Sequence, residues 1–86
     1  MIGYLAYSLS GHDKGKVYLI VDEDKDKDFV YLSDGDVRTT DRLKKKNKKH
    51  IQVIKKTGRR TEVSSVTNEE IKYQIKQYCK GIQEVK

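Results

Sequence analysis

The residues best equipped for chemistry lie in one short stretch, Ser10-Gly11-His12-Asp13-Lys14-Gly15-Lys16. Two glycines four positions apart fit a turn needing positive φ at two places, where a Cβ would be penalised. Such a turn exposes backbone N–H groups beside Lys14 and Lys16, an arrangement suited to phosphate oxygens. The plainer alternative is a hairpin closure with solvated lysines. A second group is Lys44, Lys45, Lys46, Lys48, Lys49 and His50. These side chains cannot all face inward, and mutual repulsion keeps the run solvated or extended unless an anion neutralises it. A polyanion bound there releases condensed counterions, so its affinity would fall steeply with salt. Arg38, Arg42, Arg59 and Arg60 flank the run, and guanidinium forks suit bidentate phosphate contact. A charged loop that merely aids solubility is the competing account.

Other chemistries fit less well. Ser8, Ser10, His12 and Asp13 are near neighbours, but a nucleophile, base and acid are normally assembled across a fold rather than within one hairpin. No nucleotide-cradling loop or nucleophile elbow is present, so no catalytic residue and no enzyme activity are expected. The acidic stretch from Asp22 to Asp28 has DxDxD spacing but lacks the glycine and distal glutamate of a calcium loop. It reads as a solvated connection that would also repel a polyanion from that edge. His12 and His50 are too distant in sequence to suggest a metal pair, and neither a metal nor a cofactor is expected. Tyr4, Tyr7, Tyr18, Phe29 and Tyr31 fall on strand-like segments, where packing is their natural role. An exposed tyrosine stacking on an unpaired base is the alternative.

Charge placement sharpens the picture. The 86 residues carry a net +6. Residues 1–37 hold four basic and eight acidic side chains, residues 38–60 eleven and one, and residues 61–86 four of each. One dense cationic block on a nearly neutral scaffold points to a polyanionic partner. The longest apolar run, Val17 to Val21, is far shorter than the roughly 20 residues of a membrane-spanning helix. The start, MIGYLAYSLSG, has neither early basic residues nor an adequate apolar region, which argues against a signal peptide. Cys79 is the single cysteine and has no intrachain disulfide partner. A cytoplasmic, reducing location is expected.

The elements that must position these groups are strands first and a helix last. Gly3 to Leu9 alternates with period two, and Val17 to Val21 is apolar on both parities, as for a central strand covered on both faces. Phe29 to Leu32 forms a third strand, Ser33-Asp34-Gly35-Asp36 a tight hairpin turn, Val37 to Leu43 the returning strand, and Ile51 to Ile54 a fifth. Thr57 to Val66 reads as a hairpin or mobile connection. Thr67 with Glu70 makes a capping box, and Ile71, Ile75, Tyr78, Cys79 and Ile82 form one helical stripe, with Gly81 as a stop. That stripe either caps the sheet or docks on a partner. Short strands with tight turns and one helix suggest a mainly β protein, a small barrel with a C-terminal helix.

The segment SGHDKGKVYLIV resembles the KOW motif, the strand–loop–strand element of RNA-binding ribosomal proteins and certain transcription elongation factors. With Ser33 to Arg38 and Lys44 to Ile51, residues 3–55 resemble bacterial KOW-domain proteins related to the large-subunit ribosomal protein of the L-fourteen-e type. In that family Gly11, Asp13, Lys14, Gly15 and Lys16 match the motif turn, and Asp34, Gly35 and Arg38 the second turn. Position 12 is His where the group commonly has Arg, and proline, frequent near its basic run, is absent. The resemblance implies an SH3-like barrel that contacts RNA; together with the residue patterns this gives a barrel over residues 1–56, a connection over 57–66 and, outside the match, a helix over 67–82. With the charge pattern it leads to an expectation of RNA binding, foremost ribosomal RNA. Gly11, Asp13, Lys14, Gly15, Lys16 and Arg38 are carried over from the motif, and His12, Arg42, Lys44, Lys45, Lys46, Lys48, Lys49 and His50 are added from the turn and the cationic block. Structured RNA would be held by its phosphates and shape, with ribosomal or transcription proteins as further partners, no membrane contact and a monomeric free state. A protein-interaction module of a transcription or translation factor complex is the alternative.

Overall fold

A run that is apolar on both parities needs cover on both sides, and β2, Val17–Asp24, receives it. The computed structural model describes residues 2–54 and 62–84, with side chains through Lys80. Besides β2 it contains β1 (Leu5–Ser8), β3 (Phe29–Ser33), β4 (Lys44–Asn47), β5 (Ile51–Ile54) and helix α1 (Asn68–Glu84). The strands form one antiparallel sheet in the order β4-β3-β2-β1-β5. A 3₁₀ turn, Lys48–His50, leads from β4 to β5, which returns to pair with β1. The protein is therefore mainly β, a small barrel-like five-stranded antiparallel sheet with one C-terminal helix.

Register sorts the apolar residues into two cores. Ala6, Tyr18, Ile20, Val30, Leu32 and Ile51 pack on the inner face, joined by Val53. Leu5, Val17, Leu19 and Ile54 pack on the other face, against Ile71 of the helix. The pairing of β2 with β3 shifts register between Ile20 and Asp22, a bulge-like irregularity at Val21. Ile71 is fully buried and Ile75 and Tyr78 pack beside it, so this part of the stripe caps the sheet. Thr67 caps the helix as its sequence predicts: its Oγ1 accepts the Glu70 N–H at 3.2 Å.

Four expectations change. Val37 to Leu43 is an irregular loop, and the fourth strand is the lysine run itself. Asp34 Oδ1 accepts the N–H groups of Asp36 and Arg38, both at 2.8 Å, and Asn68 Oδ1 accepts that of Thr40. Donors so engaged are lost to a strand ladder. Asp22 to Asp24 belong to β2 rather than to a loop, and the turn ends at Asp28 with φ 58°. The helix runs past Gly81 to Glu84, since a helical glycine costs only about 1 kcal/mol relative to alanine. Of the connection from Thr57 to Val66, residues 57–61 lie outside the described residues. The remainder holds a 3₁₀ turn, Val63–Ser65, whose Val63 packs with Val66 on the second core.

The turn after β3 docks on the start of α1 at Gly35, which has φ +74°. A Cβ there would overlap the Asn68 carbonyl oxygen and lie 2.8 Å from Lys72 Cγ. Gly15, at φ +88°, has nothing within 4 Å of its would-be Cβ. Gly15→Ala should cost only the backbone strain, roughly 1–2 kcal/mol, and Gly35→Ala about 3 kcal/mol or more. Urea denaturation reads both, and equal losses would contradict the docked turn.

Candidate nucleic-acid interface

Once Lys44–Asn47 is a strand, its lysines separate by parity. Lys44 pairs with Leu32 and Lys46 with Val30, so both stand on the inner face. Lys45 pairs with Tyr31 on the outer face and lays its ammonium 4.3 Å from the centroid of the Phe29 ring, a cation–π contact. The inner pair converges on the turn between β1 and β2. Lys46 Nζ donates to Asp13 Oδ1 and to the Ser10 carbonyl, both at 2.9 Å. Lys44 Nζ lies 3.5 Å from Asp13 Oδ2.

Asp13 is built into the fold from below as well. The Tyr18 hydroxyl donates to Oδ2 at 2.9 Å. Ser8 Oγ lies 3.0 Å from Oδ1 and 2.9 Å from the Ser10 carbonyl, two acceptors sharing one proton. Only 13% of the Asp13 side chain is exposed. That burial alone would raise its pKa, but hydrogen bonds from Lys46, Tyr18 and Ser8, with the Lys46 charge, hold the carboxyl far below the usual range. Burial, then the bond to Asp13 and the Asp13 charge, push the Tyr18 phenol well above its usual value. The glycines frame this carboxylate, with Gly11 at φ +85° beside Lys46. The amides expected to be exposed beside Lys14 and Lys16 are instead used to close the turn: the N–H groups of Lys14, Gly15 and Lys16 donate to the carbonyls of Gly11, Ser8 and Asp13.

A second acid holds the other end of the turn. Asp34 is buried and its Oδ2 lies 2.8 Å from Lys16 Nζ. Burial opposes ionisation there, but Lys16 and the N–H groups of Asp36 and Arg38 hold the pKa low. Lys16 keeps an exposed side chain, and its ammonium sits 5.5 Å from the centroid of the Tyr18 ring. At the far end of the run Lys48 pairs with Glu23 at 3.2 Å and lowers its pKa.

The residues expected to meet RNA differ in their engagement, and two of the segments that carry them adjoin. Leu9 N–H donates to the His50 carbonyl, Ser8 pairs with Ile51, and Lys46 bridges to Ser10, so the 9–16 turn and the lysine segment adjoin. Gly11, His12, Lys14, Gly15, Arg38, Arg42, Lys49 and His50 are exposed. Lys14, Arg42 and Lys49 form no ion pair among the described residues. Asp13, Lys44, Lys46 and Lys48 are engaged with one another or with Glu23. The connection with Arg59 and Arg60 lies outside the described residues. Sequence reasoning missed Ser8 and Tyr18 as supports of Asp13. The available signal was a polar Ser8 on the same parity as core residue Ala6. Among the described residues no group of His, Cys, Asp and Glu is placed to hold a metal, and no helix is long and apolar enough to cross a membrane. The chain matches no protein-family model, and no curated protein matches it at a significant level.

Depressed carboxyl pKa values fix the sign of the pH response. Asp13 and Asp34 contribute stability fully present above the unfolded carboxylate value of about 3.9 and lost as pH falls below it. Asp13→Asn should lower stability at neutral pH by about 2–3 kcal/mol, since it removes a charged acceptor from several donors. Its urea midpoint should then decline less than that of the wild type from about pH 5 to pH 2. Parallel declines would show that Asp13 is not the titrating group.

Proposed function

We propose that this chain is a non-catalytic RNA-binding domain that takes the phosphate backbone of structured RNA. The observation carrying this reading is the junction of two cationic segments, distant in sequence, into one surface. The glycine-framed turn brings Lys14 and Lys16 to that surface, while the end of the lysine segment adds Lys49 and His50 beside it. Arg42 and Arg38 lie on the loop whose Asp34 clasps Lys16.

Internal pairing divides the work. Of the five lysines from Lys44 to Lys49, three face acids and one covers Phe29, so the +10 of residues 38–60 overstates the charge offered outward. Phosphate contact falls first to Lys14, Lys49 and Arg42, with Lys44 and Lys16 sharing their charge between protein and ligand. The Tyr18 ring is buried with its hydroxyl tied to Asp13, and Lys45 covers one face of the Phe29 ring, so little of either is offered to an unstacked base. Backbone and shape recognition suit a base-paired ligand. The likeness of residues 3–55 to a ribosomal-protein family makes ribosomal RNA the first ligand to try, and a cytoplasmic location belongs to the same proposal.

Filter binding to ribosomal RNA fragments over a salt series tests the reading. The logarithm of the affinity should fall linearly with that of the salt concentration. Changing Lys14 and Lys49 together to Gln should reduce that slope by about 2, one for each phosphate contact. A flat salt response, or a slope untouched by the double change, would overturn the proposal.

A further inference from the structure

The two lysines at Asp13 are not equivalent. The Lys46 side chain is 10% exposed and donates at 2.9 Å both to a carboxylate and to a main-chain carbonyl. Lys44 is 28% exposed and stands 3.5 Å from the other carboxylate oxygen, a charge contact too long for a hydrogen bond of ordinary strength. Its ammonium is thus held in place by the Asp13 charge while its donors stay available. The carboxylate cannot drift, because Ser8, Tyr18 and Lys46 fix it. Beside it lie the exposed residues Gly11, His12 and Lys14, the Lys14 N–H being taken up by the Gly11 carbonyl.

We propose that Asp13 is a positioning residue for RNA: it touches no ligand atom but holds Lys44 where a phosphate oxygen of a base-paired strand docks beside the Gly11–Gly15 turn. Lys46 is committed to the fold and is not a phosphate contact. This rests on the RNA-binding reading and adds to it a residue whose sign is counterintuitive. Asp13 is negative on a surface that takes a polyanion, so simple electrostatics says its removal strengthens binding. A held lysine loses less freedom on contact than a wandering one, so positioning says the reverse.

The test uses the full chain and a short RNA duplex of mixed sequence, read by fluorescence anisotropy across a salt series. Asp13→Asn, although one unit more positive, should bind about 3- to 10-fold more weakly, with a salt slope lower by about 1. Lys44→Gln should reproduce both effects, and the double variant should add little to either. Tighter binding by Asp13→Asn, or a slope that Lys44→Gln leaves unchanged, overturns the inference. Should Asp13→Asn fail to fold, Tyr18→Phe carries the test, since it loosens the carboxylate and keeps every charge. It should then bind more weakly than the wild type, and equal or tighter binding overturns the inference. No salt-dependent binding by the wild-type chain overturns the RNA reading together with this inference. Slope losses from the Lys14 and Lys49 changes, with tighter binding by Asp13→Asn, overturn this inference alone.

Discussion

A carboxylate placed against an apolar core loses its hydration and must recover it from protein donors. Asp13 does so from four side chains: Ser8 and Tyr18 beneath it, Lys46 and Lys44 across from it. Two of these come from β1 and β2 and two from β4, so the carboxylate ties the first hairpin to an edge strand more than 30 residues away. The local chain prepares it. Gly11 and Gly15 supply the left-handed backbone that folds the turn over the sheet, and the Lys16 N–H closes it on the Asp13 carbonyl. The shape of the cationic surface follows from this closure.

The same interaction explains how a strand forms from Lys-Lys-Lys-Asn, a composition with little preference for strand. Like charges adjacent in sequence project to opposite faces of a strand. Lys44 and Lys46 then meet Asp13 on one face, and Lys45 meets Phe29 on the other. Repulsion that would leave the run solvated in isolation is relieved by acids and an aromatic ring. The acidic stretch takes part as well, since Glu23 holds Lys48. Through Glu23 it is scaffold for the basic run as well as a connection between strands.

Much of this was legible from residue patterns. The double-sided apolarity of Val17 to Val21 placed β2 at the centre, and the Thr67 cap and Ile71 stripe placed the helix against the sheet. Those signals are local and periodic. What escaped was set by long-range pairing. The Asp34 loop consumed the donors of the expected fourth strand, and the parity of the lysines had no meaning until that strand was moved to Lys44–Asn47. The turn and the lysine run were each readable as candidate phosphate contacts, but their juxtaposition, and the lysine committed between them, depend on a contact 33 residues long.

That contact is measured most directly by a double-mutant cycle. Urea denaturation of Asp13→Asn, Lys46→Met, the double variant and the wild type isolates the coupling between the two side chains from every other contact each makes. A buried, hydrogen-bonded pair should give a coupling of about 1–3 kcal/mol. Strict additivity, to within about 0.3 kcal/mol, would contradict the role given to Asp13 as the link between the turn and the lysine strand.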